Sequence, residues 1–214
     1  MAVGCALLIA YGITESGRRC VLGVSVELSE AEVHWRKFLE SLIARGLHGL
    51  KLIVSDNHVG LKAARMSVFP SVPWQRCQFH LQQNATAHIP RKSMQQEVHN
   101  DIRDVFNMPT RSDAEIQLKK LIEKYGKTAP DLSSWLENEL PEGFTVFNVE
   151  PDSLNARRKL RTTNMVEFQN KELKKRTRCI RVFPNKESLL RIATALLIEL
   201  DEKWLANGKV YLKG

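Results

Sequence analysis

Leu50-Lys51-Leu52-Ile53-Val54-Ser55-Asp56-Asn57-His58 is the stretch around which the rest of the chain arranges itself. Leu50 to Val54 is short and almost wholly apolar, the pattern of a central strand covered on both faces, and it stops at a polar run headed by Asp56. Upstream, Gly4 to Ile13 and Arg19 to Val26 are β-leaning runs separated by Thr14-Glu15-Ser16-Gly17, which predicts an antiparallel hairpin. Ser29 is placed to cap a helix with Glu32 at its third position, and Val33, Phe38, Leu39, Leu42 and Ile43 recur at helical spacing up to Arg45-Gly46. Downstream come a short helix from Leu61 to Ser67, a break at Phe69-Pro70, a strand near Trp74-Gln75-Arg76-Cys77, and a helix through Phe79-His80-Leu81 to His88, stopped by Pro90. The order β-β-α-β-α-β-α predicts an α/β fold.

Beyond Arg91 the pattern changes. From Arg91 to Leu140 the residues are polar and helix-favouring, punctuated by Met108-Pro109, Ala129-Pro130 and Leu140-Pro141, so this part reads as an all-helical insertion. A linker is expected around Glu150-Pro151-Asp152. A helix from Asn164 to Thr177, a break at Phe183-Pro184-Asn185 and an apolar helix from Glu187 to Trp204 follow. The expected division is therefore 1–90 for the first part of an α/β core, 91–150 for the insertion and 151–214 for a C-terminal helical part, with no internal repeat.

The 214 residues, 43% hydrophobic and 26% charged, describe a globular chain able to bury a core. No run approaches the ~20 apolar residues of a membrane span. Met1 to Ala10 has no basic residues ahead of its apolar run, and Tyr11-Gly12-Ile13-Thr14-Glu15 follows where a cleavage site would sit, so it reads as a buried strand rather than a signal peptide. Cys5, Cys20, Cys77 and Cys179 form no Cys-x-x-Cys pair, which points to a reducing, cytoplasmic compartment. The formal net charge of +8 is local: residues 1–152 hold 17 Lys+Arg against 18 Asp+Glu, whereas residues 153–214 hold 15 against 6. A basic excess confined to the C-terminal part suits a phosphate-facing surface, with a solvated basic helix face as the alternative.

Two acids stand where chemistry is placed. Asp56 follows an apolar strand, at the end of which ligands collect in open α/β sheets; it suits a hard metal ion or, alternatively, caps the following helix. Glu167 lies in a basic stripe, since at about 100° per residue Asn170, Lys171, Lys174 and Arg178 fall within about 60° of it. Against a phosphate backbone it can hold Mg²⁺; the alternative is a capping box, Asn164-x-x-Glu167. Cys77-x-x-His80 has the spacing of half a zinc site but lacks a second Cys/His pair; the other reading makes Cys77 a small buried residue at a strand end and points His80 towards the crevice of Asp56. Gly-x-Gly-x-x-Gly, Walker-type Gly-Lys-Ser/Thr, Gly-x-Ser-x-Gly and His-Glu-x-x-His are absent, which removes the dinucleotide, P-loop, serine-hydrolase and zincin readings.

Several strings together resemble the bacterial transposases of the mutator family. They are Gly46-Leu47, Leu52-Ile53-Val54-Ser55-Asp56, Gly60-Leu61, Phe69-Pro70, Gln75-Arg76-Cys77-Gln78-Phe79-His80 and Asn84, then Leu160-Arg161-Thr162-Thr163-Asn164-Met165-Val166-Glu167, Asn170, Leu173, Arg176-Thr177-Arg178, Phe183-Pro184-Asn185, Ser188, Arg191 and Trp204. The resemblance implies a ribonuclease-H-like mixed sheet interrupted by a helical insertion, with an Asp-Asp-Glu triad holding two divalent ions, Mg²⁺ or Mn²⁺, for DNA cleavage and strand transfer. Asp56 matches the second aspartate and Glu167 the glutamate, both as metal ligands; Cys77 with His80 matches a Cys-x-x-His signature, with His80 orienting a phosphate or water. Arg161, Lys171, Lys174, Lys175, Arg176 and Arg178 are the expected DNA contacts. The implied partners are element-end and target DNA and another copy of the transposase. The family's first aspartate, on a strand ahead of the hairpin, has no counterpart here. The chain is accordingly expected to be a truncated transposase, inactive alone, with a remnant that binds DNA or full-length transposase as the alternative.

Overall fold

The computed structural model describes residues 4–149, 154–177, 183–208 and 210–212. Arg178, Cys179 and the expected linker at Glu150-Pro151-Asp152 lie outside the described residues. Along the chain run β1 (Ala6–Ile13), β2 (Arg19–Glu27), α1 (Glu32–Ala44), β3 (Ile53–Ser55), α2 (Val59–Val68), β4 (Trp74–Arg76), α3 (Gln78–Ala85), α4 (Gln95–Phe106), α5 (Arg111–Tyr125), α6 (Pro130–Glu139), α7 (Leu154–Leu160), α8 (Asn164–Thr177) and α9 (Lys186–Ala206). Short 3₁₀ turns lie at Thr86–His88, Lys92–Met94, Leu140–Gly143 and Thr145–Asn148. The fold is α/β. It comprises two compact units, one of Met1–Leu50, Asn57–Ser71 and Asn164–Gly214, the other of Lys51–Asp56 and Val72–Thr163.

In the first unit β1 and β2 form the expected antiparallel hairpin, registered from Ala6 opposite Glu27 to Ile13 opposite Arg19, with an irregularity at Ala10/Tyr11. Gly17 closes the turn at φ +72°, a left-handed conformation that glycine adopts without steric cost. Leu8 is fully buried and packs with Phe38 and Leu42 of α1. Helix α2 runs against the start of α1, and a Cβ at Gly60 would stand 2.3 Å from the Glu30 carbonyl oxygen, so only glycine permits this approach. Helix α9 starts at a true cap, the Asn185 side chain accepting the Ser188 N–H at 2.8 Å, and covers β2, whose Val21 N–H donates to Asp201 at 2.7 Å. The Arg19 guanidinium lies 4.6 Å from the Trp204 ring centroid and 5.0 Å from that of Tyr211.

The second unit holds β3 and β4, paired in parallel from Ile53 opposite Trp74 to Ser55 opposite Arg76, and the helices α3 to α7. Its core gathers Leu81, Ile102, Tyr125, Leu136 and Phe144. Helix α5 begins where Thr110 accepts the Asp113 N–H at 3.1 Å, and α6 begins with Pro130, a residue suited to a first helical position. Residues 91–140 contain helix and turn and no strand, as their composition predicts.

Three local expectations are corrected. Helix α1 is preceded by Ala31 rather than capped by Ser29, so Glu32 is its first residue; the Ser29 hydroxyl instead accepts the Ala31 N–H at 3.4 Å, closing a turn one step too early to cap. Strand β3 is three residues long, pairs with β4 alone among the described residues, and leaves Ile53 and Val54 only half-buried. Helix α2 is preceded by His58 and has no side-chain cap, so the alternative reading of Asp56 as its cap is set aside.

Candidate active site

The register of β3 against β4 places Ser55 opposite Arg76, so Asp56 and Cys77 are the first residues past the same end of a parallel pair. The Cys77 N–H carries the ladder one step further by donating to the Ser55 carbonyl at 2.7 Å. The Ser55 hydroxyl donates to the Asp56 carbonyl at 2.7 Å and accepts the Trp74 indole N–H at 2.9 Å, which fixes the backbone that carries the carboxylate. Asp56 itself is exposed, Cys77 is fully buried, and His80, on the first turn of α3, is half-buried. An exposed carboxylate on an anchored backbone is accessible to an ion or a substrate from solvent.

Cys77 is held from a second direction. Its sulfur accepts the Thr163 N–H at 3.3 Å and the Thr163 hydroxyl at 3.2 Å, and one residue on, the Gln78 N–H donates to the Arg161 carbonyl at 3.0 Å. The segment 161–163 is thus tied to the β4–α3 junction, and α8 starts at the next residue. Because α8 begins at Asn164, Glu167 is its fourth residue; an Asn164-x-x-Glu167 capping box, which needs Asn164 before the helix, is out of register.

The junction is clamped on its other side by the end of the helical stretch. Arg76 is buried and donates to Glu139 and, at 2.9 Å, to Glu142. Gln75 accepts the Val146 N–H at 2.8 Å, and the Gln78 amide donates to the Gly143 carbonyl at 2.7 Å. None of Arg76, Ser55 or Thr163 stood out as a candidate from the sequence. The available signal was polar residues inside two short strands, Ser55 and Arg76, where apolar ones are usual.

Glu167, Lys171, Lys174, Lys175 and Arg176 belong to the first unit, on α8, whereas Asp56, Cys77, His80 and Arg161 belong to the second. Glu167 is half-buried in the first turn of α8, where the helix dipole favours an acid; the four basic residues are exposed. Lys175 pairs with Glu172 at 2.6 Å and Arg176 with Glu199 at 2.8 Å. Hydrogen bonds from Lys203 and Arg176 hold the Glu199 carboxyl below the usual carboxylate range. Arg161 differs from these: its guanidinium donates to the Phe106 carbonyl at 3.0 Å and to Asn107 at 3.1 Å. Burial, and then the nearby charges of Arg158 and Arg157, pull its pKa down to about 10. Arg161 therefore braces the second unit with the group that would meet a phosphate.

A family model described as Transposase, Mutator family matches residues 1–207. The chain is 53% identical over 210 residues to the transposase for insertion sequence element IS406 of Burkholderia multivorans, covering 98% of this chain and 53% of that protein. It is 38% identical over 204 residues to the transposase for ISRM5 of Rhizobium meliloti, covering 95% of this chain and 50% of that one. It is 32% identical over 210 residues to the transposase for IS256 in transposon Tn4001 of Staphylococcus aureus, covering 95% and 52%. The chain thus spans about half the length of the curated relatives it matches. No helix among the described residues is long and apolar enough to cross a membrane.

Proposed function

The chain belongs to the mutator family of transposases, and we propose on that footing that it carries catalytic residues of a DNA transposase acting on an insertion sequence, with Asp56 and Glu167 as carboxylates of a divalent-metal site. The observation that carries this reading is the placing of Asp56 at the end of the parallel pair β3–β4, beside the buried Cys77 that begins the Cys-x-x-His signature. The fold assigned is a ribonuclease-H-like core in which residues 91–150 form an insertion.

The donor chemistry fits the metal: two carboxylates are hard oxygen ligands, suited to Mg²⁺ or Mn²⁺ rather than to a soft ion. Asp56 and Glu167 would hold such ions, whose chemistry would be activation of water or a 3′-hydroxyl by one and stabilisation of the leaving phosphodiester oxygen by the other. Asp56, on a backbone fixed by Ser55 and Trp74, presents its carboxylate without reorganising the strand end. His80 is assigned the orientation of a phosphate oxygen or water by hydrogen bonding. Lys171, Lys174, Lys175 and Arg176 neutralise the DNA backbone along α8, where their charge lies open to solvent.

The experiment joins this chain to the remaining part of the Burkholderia multivorans relative and follows Mg²⁺-dependent cleavage of DNA carrying insertion-sequence ends. Cleavage is expected, and Asp56→Ala or Glu167→Ala is expected to abolish it. Cleavage that survives either substitution overturns the assignment of that carboxylate.

A further inference from the structure

The outer face of α9 carries its own complement. Ile198 is 53% and Leu205 55% exposed, Leu190 is 36% exposed, and Arg191, Ala195 and Glu202 lie open to solvent among them. At about 100° per residue these six side chains fall within one arc of about 140°, with Leu190 and Leu205 towards one edge and Arg191, Glu202 and Ala195 towards the other. Ala193 and Leu197, which are buried, lie just beyond the Leu190 edge of this arc, where the helix turns inward. Along the helix the spacing from Arg191 to Ala195, Ile198 and Glu202 is four, three and four residues, a pattern that reads the same in both directions.

We propose that this face pairs with the same face of a second copy of the chain, with the two α9 helices antiparallel and centred between Leu196 and Leu197. In that register Arg191 meets Glu202 of the second copy and Ile198 meets Ala195, a large side chain against a small one, each contact occurring twice. A two-fold axis across an antiparallel pair brings like edges together, so Leu190 falls beside Leu205 of the second copy, within about two residues of exact register. A parallel pair would instead set Arg191 on Arg191 and Glu202 on Glu202, which like-charge repulsion disfavours. The sign of the face also selects a protein over a nucleic acid: it carries Glu187 and Glu202 with Arg191, whereas the basic residues assigned to DNA lie on α8. One helix face buries less than the ~1,200 Å² of a stable complex, so this association is weak and concentration-dependent. It stands independently of the metal site.

Sedimentation velocity on this chain, from micromolar to millimolar concentration, tests the pairing. The wild type is expected to pass from monomer towards dimer. Arg191→Glu sets acid against acid twice and should raise the dissociation constant at least about tenfold. Arg191→Glu with Glu202→Arg restores opposite charges and should recover association. Circular dichroism of each variant verifies that α9 is retained. A chain that stays monomeric throughout, a dimer indifferent to Arg191→Glu, or a double variant that fails to recover overturns the proposal.

Discussion

Thr163 gives both its backbone N–H and its hydroxyl to the sulfur of Cys77, 86 positions away in sequence, at 3.3 and 3.2 Å. A thiol is a weak acceptor, and here it is fully buried, so neither donor has water as an easy substitute. Cys77→Ala therefore leaves two polar groups without this acceptor as well as a small void, and is expected to cost roughly 1–3 kcal/mol of stability. Thr163→Val removes only the hydroxyl donor and should cost about half as much. Denaturant unfolding of both variants checks the ranking; a Cys77→Ala protein as stable as wild type would remove the tether from the account.

Arg76 anchors β4 to the end of α6 and the turn that follows it, through Glu139 and Glu142. Its side chain is only 4% exposed while the two acids reach solvent, so the loss falls on whichever partner is left buried and charged. Glu142→Gln, which keeps a hydrogen-bond acceptor on a partly exposed group, is expected to lower stability by less than ~1 kcal/mol. Removing both acids strands the guanidinium and should cost several times more, beyond the sum of the single variants, because either acid alone compensates it. Additivity of the two substitutions in a double-mutant cycle would contradict this.

Burial raises the Tyr11 phenol to about 12, against 10.0 for the ordinary side chain. The folded state thus keeps a proton that the unfolded state releases first. Tyr11 contributes its stability fully below about pH 10, and that contribution is lost as the pH rises from there through about 12. Tyr125, whose hydroxyl donates to Asp101 at 2.5 Å, is raised by burial and by that bond and adds in the same sense. Tyr11→Phe should flatten the fall of the unfolding midpoint between pH 10 and 12. A fall of unchanged steepness would exclude Tyr11 as its source.

On α8 the basic residues are not equivalent. Arg176 is engaged by Glu199 and Lys175 by Glu172, whereas Lys171 is exposed and, among the described residues, has no carboxylate within ion-pairing distance. Binding to DNA must displace the first two from their acids. Lys171→Ala should flatten the salt dependence of DNA affinity by about one ion's worth, and Arg176→Ala by less. Fluorescence anisotropy across a salt series measures the slopes; an Arg176→Ala effect larger than that of Lys171→Ala would contradict the ranking.

Local signals carried much of this fold into the sequence. The hairpin followed from two β-leaning runs around a Gly-terminated turn, and α4 to α6 from proline punctuation and helix-favouring residues. What local signals do not contain is which elements pack into one unit. Residues 51–56 join 72–163, while 57–71 join the hairpin, a division set by contacts between distant segments. The same reason hid half of the candidate site. Asp56 was visible because an acid after an apolar strand is conspicuous, and Cys77 because its spacing to His80 is. Thr163 was not, since its significance lies wholly in a partner 86 positions earlier. Ser29 misled because a serine before a helix resembles a cap even where it closes a turn one step upstream.

The central claim is that Asp56 and Glu167 serve one divalent-metal site. Titration of the chain with Mn²⁺, read by the loss of the free-ion electron paramagnetic resonance signal, addresses it without requiring catalysis. The account predicts saturable binding that Asp56→Asn and Glu167→Gln each weaken at least about tenfold, the double variant being little worse than either, since both act on one site. Binding that neither substitution changes, or that each reduces independently and additively, would contradict it.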